Sequence, residues 1–86
     1  MQKNQPREFD VVINSPDKLL WEGRAQSISS ENSKGTFDVL PEHANFITMI
    51  ENKPIIVRTG TTDHTFNYEN AVLSVRDGKA TVYAGI

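Results

Sequence analysis

The sequence contains no cysteine among its 86 residues. Disulfide bonds and thiolate metal sites are therefore excluded. Because small folds in oxidising compartments are commonly cross-linked, the absence also favours a reducing compartment. Histidine is scarce as well: only His43 and His64 occur, and neither belongs to a metal-binding spacing such as H-x-H or H-E-x-x-H. The sequence thus predicts no metal site and no cofactor.

Long hydrophobic runs are also missing. No stretch approaches the ~18 apolar residues that a transmembrane helix needs. The polar segment from Met1 to Arg7 lacks the apolar core of a signal peptide. We expect a single domain over residues 1–86, in which residues 1–7 are flexible, with no direct insertion into lipid. A domain of this length has a thin core, so that partners commonly supply part of its stability.

Charge of one sign is not concentrated anywhere. The formal net charge is -2, and positive and negative residues are scattered without a basic cluster. The chain therefore offers no electrostatic surface for nucleic acid. A Gly-rich phosphate-binding loop and a G-x-S-x-G nucleophile motif are likewise absent from the sequence. Together these absences predict a protein that has no catalytic residues and binds no nucleic acid.

The sequence does contain a succession of short strand patterns. Phe9, Val11 and Ile13 alternate with polar neighbours, which is the period of a half-buried strand. Turn chemistry follows at Ser15 to Lys18, and Asp77-Gly78 is a type I′ hairpin signal. Turn signals recur roughly every 8–12 residues along the chain. The pattern predicts an all-β fold, an antiparallel β-sandwich or flattened barrel of about nine or ten short strands.

Two segments leave their local structure open. Ala25 and Ile28 have opposite parity within an expected strand from Arg24 to Ser30. Either one of them faces outward or a bulge near Ser27 resets the register. The run from Phe46 to Ile50 has a spacing that also suits a helix face, but its β-branched residues and its short length favour a strand.

The segment from Gly35 to Phe46 is more specific than its surroundings. It follows the pattern G-x-[FL]-x-[VI]-x-P-x-H-A-x-[FL]. In this motif the chain resembles the epsilon subunit of rotary ATP synthases, whose mitochondrial equivalent is called delta. The flanking strand patterns agree, so the resemblance covers nearly all of Phe9 to Ile86.

The sequence departs from the family pattern in two places. Glu69-Asn70 stands near the point where the family usually has Gly-Gly, and asparagine tolerates the left-handed backbone that such a turn would need. The family's usual C-terminal domain of two helices has no counterpart in the sequence, which ends at Ile86. We therefore expect no C-terminal helical domain and no inhibitory helical arm.

The resemblance implies a non-catalytic rotor subunit of the central stalk. Such a subunit binds the gamma subunit and the loops of the c-ring, couples ion flow to ATP synthesis, and lies peripherally on the cytoplasmic face of a bacterial plasma membrane. The residues that match family contact positions lie, apart from Thr48, in or beside expected turns, so we expect these turn residues to form one docking end of the sandwich. Those facing gamma are Ser15, Pro41, Glu42, His43 and Thr48, and those facing the c-ring are Lys34, Gly35 and Thr36.

Structural explanations compete with several of these assignments. Pro41 and His43 also suit a tight turn without any partner, and Trp21 suits a partly buried position as well as an interface hot spot. For the whole chain, the alternatives are a free-standing β-sandwich adaptor and a small cupin-like metalloenzyme. The latter needs a cluster of histidine and carboxylate ligands, which two isolated histidines do not supply.

Overall fold

The computed structural model describes residues 7–86, which form nine β-strands and no helix. The prediction of an all-β sandwich of about nine strands is thereby confirmed. The expected flexibility of residues 1–7 falls almost wholly outside the described residues. The strands are β1 (Phe9–Asn14), β2 (Leu19–Ala25), β3 (Ser27–Asn32), β4 (Gly35–Val39), β5 (Phe46–Glu51), β6 (Pro54–Arg58), β7 (Asp63–Asn67), β8 (Asn70–Arg76) and β9 (Lys79–Ala84).

The strands form two sheets whose inner faces build the core. The five-stranded sheet has the order β2-β1-β9-β8-β5, and the four-stranded sheet has the order β4-β3-β6-β7. Alternate residues of each strand point inward, so the period-two patterns of the sequence become two facing apolar layers. The buried side chains from both sheets are Phe9, Val11, Ile13, Ala25, Ile28, Val39, Ile50, Ile55, Val57, Ala71, Leu73, Val75, Ala80, Val82 and Ala84.

One strand pair departs from the antiparallel pattern that the sequence predicts. β9 runs parallel to β1, with Val11 beside Ala80 and Ile13 beside Val82. All other pairs in the described chain are antiparallel. No hairpin links β1 to β9, because most of the chain lies between them, and turn chemistry therefore does not determine their relative direction.

Ala25 and Ile28 have opposite parity in the expected strand, and the structure explains this neither by an outward-facing residue nor by a bulge. Both side chains are fully buried. The expected continuous strand is in fact interrupted at Gln26, whose N–H donates to the carbonyl of Arg58. Ala25 ends a strand of the five-stranded sheet and Ser27 begins one of the four-stranded sheet. The chain thus changes sheets at Gln26, and each residue is inward in its own sheet.

Two predictions about turns have different outcomes. Asp77 and Gly78 both have positive φ, of 49° and 78°, between the paired residues Arg76 and Lys79. The type I′ hairpin is therefore confirmed. The Glu69-Asn70 pair needs no left-handed backbone, because neither residue has a positive φ and Asn70 already belongs to β8.

Aromatic contacts close both lateral sides of the sandwich. On one side Trp21 of β2 packs against His64 of β7, with 5.2 Å between the ring centroids. On the other side Phe37 of β4 meets the edge of Phe46 of β5 at 6.0 Å. Trp21 is partly buried against the core, as the structural explanation of this residue requires. In residues 7–86 the structure contains no helix of the length and apolar character that crossing a membrane requires.

Candidate protein-binding surface

The outer face of the five-stranded sheet carries an exposed apolar patch, which no part of residues 7–86 covers. Ile47 and Met49 of β5 are 69% and 55% exposed, and Tyr83 of β9 is 47% exposed. The register places Met49 beside Val72 and Val72 beside Tyr83, so these side chains form a continuous row across three strands. We call this surface the apolar face and define it by Val12, Ile47, Met49, Val72 and Tyr83. An apolar patch of this kind on a small soluble domain commonly marks an interaction site.

The outer face of the four-stranded sheet has the opposite character. Arg58 of β6 donates to the hydroxyl of Ser29, which in turn donates to the carboxylate of Asp38. The guanidinium Nε of Arg58 also lies 3.7 Å from the Asp63 carboxylate. This network connects all four strands of the sheet through polar groups. The sandwich therefore has one face that water can solvate and one that a partner can cover.

The predicted contact residues do not all lie at one end of the sandwich. Ser15 follows Asn14, which pairs with Tyr83 of β9. Tyr83 in turn pairs with Val72, and Val72 pairs with Met49 of β5. Ser15 therefore lies near the Glu51 end of β5. The Pro41–His43 segment precedes Phe46, at the opposite end of β5. A strand of six residues is about 20 Å long. Ser15 and the β3–β4 turn, which meets β5 at Thr48 and Glu51, therefore share an end, and Pro41–His43 lies apart from them. Strand patterns do not reveal which loops meet, and the contacts with gamma and the c-ring remain predictions.

The Leu40–His43 segment is a tight turn with a strained centre. The His43 N–H donates to the Leu40 carbonyl at 3.0 Å, and Glu42 has a φ of 68°. Proline at the second position and a positive φ at the third are the pattern of a type II turn. The third position normally takes glycine, so Glu42 is an unusual occupant.

His43 is held against the strand that follows it. Its ring centroid lies 4.8 Å from that of Phe46, and Nδ1 is 2.7 Å from the Ala44 carbonyl. The Phe46 ring in turn packs against Phe37 across the sandwich. His43 therefore has a clear structural role at this edge, and its contact with gamma remains a prediction.

Ser15 organises the β1–β2 turn. Its hydroxyl accepts from the N–H groups of Asp17 and Lys18 and donates to the Lys18 carbonyl, at 3.2–3.3 Å. The Ser15 N–H donates to the same carbonyl at 2.9 Å. These bonds account for serine at this position through the turn alone, so a contact between Ser15 and gamma likewise remains a prediction.

The residues predicted to face the c-ring lie in the exposed β3–β4 hairpin. The Lys34 N–H donates to the Asn32 side chain at 2.9 Å, and Gly35 adopts a φ of 121°, which L side chains rarely adopt. Thr36 is exposed on β4. Thr48, by contrast, faces inward on β5, where its hydroxyl accepts from the Asn32 amide at 3.1 Å. This bond ties the hairpin to the five-stranded sheet.

A groove of about 300 Å³ runs between β5 and the β3–β4 hairpin. Its walls come from both sheets, and both acidic and basic groups line it: Glu31, Asn32, Ser33, Thr48, Met49, Glu51 and Lys53. Lys53 is paired with Glu31 at 3.8 Å. Nowhere in residues 7–86 do three or more His, Cys, Asp or Glu side chains converge as a metal ion would require.

The sequence patterns did not identify Ile47 and Met49 as candidate binding residues. The signal was present, because the run from Phe46 to Ile50 has apolar residues on both faces of a strand. In this sheet Phe46 and Ile50 face the core and their neighbours face outward. A strand apolar on both faces, at the edge of a sandwich, implies that something covers the outer face.

The fold and this surface define a class, a small all-β module whose five-stranded sheet exposes an apolar patch. Residues 8–85 match the family described as ATP synthase, Delta/Epsilon chain, beta-sandwich domain. The chain therefore belongs to this family, and the resemblance drawn from the Gly35–Phe46 motif is confirmed.

Curated relatives named ATP synthase epsilon chain agree with the family. The protein from Leptospira borgpetersenii is 25% identical over 75 residues, which are 87% of this chain and 59% of that protein. The protein from Caulobacter vibrioides is 26% identical over 76 residues, which are 88% of this chain and 86% of that protein. The chain thus spans about three fifths of the length of the Leptospira relative and most of the Caulobacter relative.

Solved structures share the fold. A chain of the Euglena gracilis mitochondrial ATP synthase, in a structure of OSCP, F1 and c-ring, superposes with a TM-score of 0.83 at 15% identity. The match covers 98% of this chain and 54% of that one. A chain from the central stalk and c-ring of the Tetrahymena thermophila mitochondrial ATP synthase superposes with a TM-score of 0.77 at 10% identity, covering 96% and 67%.

Proposed function

We propose that this chain is a non-catalytic rotor subunit of a rotary ATP synthase. In that role it binds the gamma subunit and the loops of the c-ring, and so helps to couple ion flow to ATP synthesis. ATP is made on other subunits, and this chain contributes contacts and rigidity. It lies peripherally at the membrane, on the cytoplasmic face, because the c-ring holds it there.

The apolar face is the observation that supports this proposal. Ile47, Met49 and Tyr83 expose apolar surface on a sheet, while the opposite sheet carries the polar Arg58 network on its outer face. Apolar and aromatic side chains at the centre of a patch are where binding energy concentrates. We assign this face to gamma, with the predicted contacts Ser15, Pro41, Glu42 and His43 around its ends.

The β3–β4 hairpin is the proposed c-ring contact. Lys34 and Thr36 are exposed there, and the hairpin is anchored to the body through the Asn32–Thr48 hydrogen bond. Thr36 carries no charge, so its contact with a ring loop rests on packing and hydrogen bonding. Thr48 faces inward and holds this hairpin against β5, and its predicted contact with gamma is part of the same proposal.

A charge placed on the apolar face tests the proposal. Ile47→Lys alters an exposed side chain, so the free energy of unfolding should change by less than about 0.5 kcal/mol. Affinity for the cognate gamma subunit should fall by more than about 1 kcal/mol, since a hot-spot side chain is lost and a charge must be desolvated. Isothermal titration calorimetry and thermal unfolding measure the two effects.

A matched control carries the same charge on the other face. Thr65 is exposed on β7 and pairs with Ile56 on the outer side of the four-stranded sheet. Thr65→Lys should leave gamma affinity unchanged. If the parent chain binds no gamma at all, the rotor assignment fails and the free-standing adaptor takes its place. If Ile47→Lys binds as tightly as the parent, gamma uses another face.

A further inference from the structure

The four sheet edges of the sandwich differ in how they are protected. The edge strands are β2 and β5 in the five-stranded sheet and β4 and β7 in the four-stranded sheet. An edge strand presents a row of backbone N–H and C=O groups that another chain can pair with. Natural proteins obstruct such edges with bulges, charged side chains or very short strands.

Three of these edges carry recognisable obstructions. β2 is paired with a register shift at Ile13/Asn14, which is a bulge or irregularity, and it bears the charged residues Glu22 and Arg24. β4 and β7 are only five residues long, and they bear Asp38 and Asp63. These edges are poor templates for a further strand.

The β5 edge has no bulge and no charged residue along Phe46–Ile50, and its contacts with the other sheet, Thr48 with Asn32 and Phe46 with Phe37, come from side chains on its inner face. β5 pairs with β8 over six consecutive residues without a register shift, and its one charged residue, Glu51, is the last. Within residues 7–86 no backbone hydrogen bond apart from the β8 ladder engages β5. The exposed Ile47 and Met49 lie directly beside this edge. The longest unobstructed edge therefore borders the apolar face.

The groove beside β5 provides room along this edge. It is lined by Thr48, Met49 and Glu51 of the strand and by the β3–β4 hairpin of the other sheet. No β8 residue lines it, so the groove lies on the side of β5 that is not already paired. An extended polypeptide backbone is the ligand whose donors and acceptors repeat at the spacing of such an edge.

We propose that the β5 edge binds an extended segment of the partner polypeptide as a sixth strand of the five-stranded sheet. The segment carries apolar residues at alternate positions, which extend the row of Ile47 and Met49 on the outer face. This inference rests on the proposed function, in which the partner is gamma, and it adds the mode of recognition. Backbone pairing supplies part of the affinity, and the apolar face supplies the remainder.

Amide hydrogen exchange on the complex of the full chain with the cognate gamma subunit tests this mode. Alternate amides of Phe46–Glu51, those that point away from β8, should exchange at least tenfold more slowly in the complex. Amides of the β2, β4 and β7 edges should keep their rates. A gamma complex in which the β5 amides exchange as in the free chain overturns the inference and leaves the proposed function standing. A parent chain that binds no gamma overturns both.

Proline substitutions at adjacent β5 positions provide a second test. Neighbouring residues direct their N–H groups to opposite sides of a strand. One of the two variants, Ile47→Pro or Thr48→Pro, therefore removes an N–H group on the free edge. The other removes an N–H group that is hydrogen-bonded to β8. The variant that keeps the unfolding midpoint of the parent identifies the edge position. Its affinity for gamma should be at least tenfold below that of the alanine variant at the same position.

Two outcomes of this second test contradict the proposal. Equal affinities for the folded proline variant and its alanine counterpart show that side chains alone make the contact. If light scattering finds a dimer of the isolated chain, and the same β5 amides are protected in that dimer, the edge belongs to a second copy of this chain. Should both proline variants unfold, the exchange measurement decides.

Discussion

At the scale of single residues, the turn before β5 concentrates backbone strain at Glu42. Its φ of 68° puts a side chain where glycine is normally found. A left-handed backbone costs an L-residue roughly 1–2 kcal/mol. Glycine avoids this cost, but its larger loss of conformational entropy on folding costs about 0.5–1 kcal/mol relative to alanine. We expect Glu42→Gly to raise the free energy of unfolding by about 0.5–1 kcal/mol, as measured by chemical denaturation. Glu42→Ala keeps the Cβ and should give no gain; an equal gain would mean that the carboxylate, and not the backbone, is unfavourable.

His43 is the residue where a structural and a functional role must be separated. Its ring packs on Phe46 at 4.8 Å, and such aromatic pairs contribute about 0.5–1.5 kcal/mol. We expect His43→Ala to lower the free energy of unfolding by that amount in urea denaturation, because the pair is lost.

His43→Phe is the matched variant, since it keeps the aromatic pair and removes the imidazole. It loses the exposed bond between Nδ1 and the Ala44 carbonyl, so it should unfold slightly more easily than the parent chain and less easily than His43→Ala. Its affinity for gamma then measures the predicted contact without interference from folding. Unchanged unfolding of His43→Ala would contradict the structural role, and full gamma affinity of His43→Phe would contradict a contact through the imidazole.

At the scale of strands, β2 depends on a glycine that makes room for tryptophan. Gly23 and Trp21 point to the same side of β2, and a Cβ at Gly23 would lie 2.9 Å from the indole ring. That ring is itself packed against His64 across the sandwich. We expect Gly23→Ala to destabilise the fold by about 1–3 kcal/mol through overpacking, with a shifted fluorescence of the single tryptophan. Glu22→Ala, on the exposed side of β2, should change stability by less than about 0.5 kcal/mol.

Strand patterns made much of the fold predictable, but they describe each strand by itself and contain no information about its neighbours in a sheet. Alternation reveals a strand and its buried face, as for Phe9, Val11 and Ile13. It does not reveal which sheet a strand joins, so the change of sheet at Gln26 resembled a register conflict. Local turn chemistry identified the Asp77-Gly78 hairpin, whereas the parallel β1–β9 pair depends on contacts between distant parts of the chain.

The candidate site was less accessible to prediction than the fold. The Gly35–Phe46 motif led to the family, which the family match confirms. Whether Ser15 and His43 share an end depends on strand lengths and cross-sheet register, which only the folded chain provides. Ile47 and Met49 could have been recognised from the sequence, because β5 has apolar residues on both faces of the strand and the core covers only one of these faces.

At the scale of the whole molecule, a thin core and an uncovered apolar face predict strong stabilisation by the partner. A ligand at 100 times its Kd adds about 2.7 kcal/mol to the stability of the state that binds it. In a domain of this size 1 kcal/mol shifts Tm by about 4–8 °C. Saturating gamma should therefore raise the Tm of this chain by roughly 10–20 °C, as differential scanning calorimetry can measure. Ile47→Lys should shrink that increase, and a Tm independent of gamma would contradict the proposed binding.

The parallel placement of β9 has a consequence for how the protein is made. β9 lies between β1 and β8 in the five-stranded sheet, so the first hairpin has no neighbour in that sheet until the last strand has been synthesised. Until residues 79–84 leave the ribosome, the β1–β2 and β5–β8 pairs remain separate fragments of the sheet. Pairing of distant strands is slow compared with hairpin formation. The four-stranded sheet can therefore pair during translation, whereas the five-stranded sheet and the core between the two sheets are completed only in a late step, after β9 has emerged.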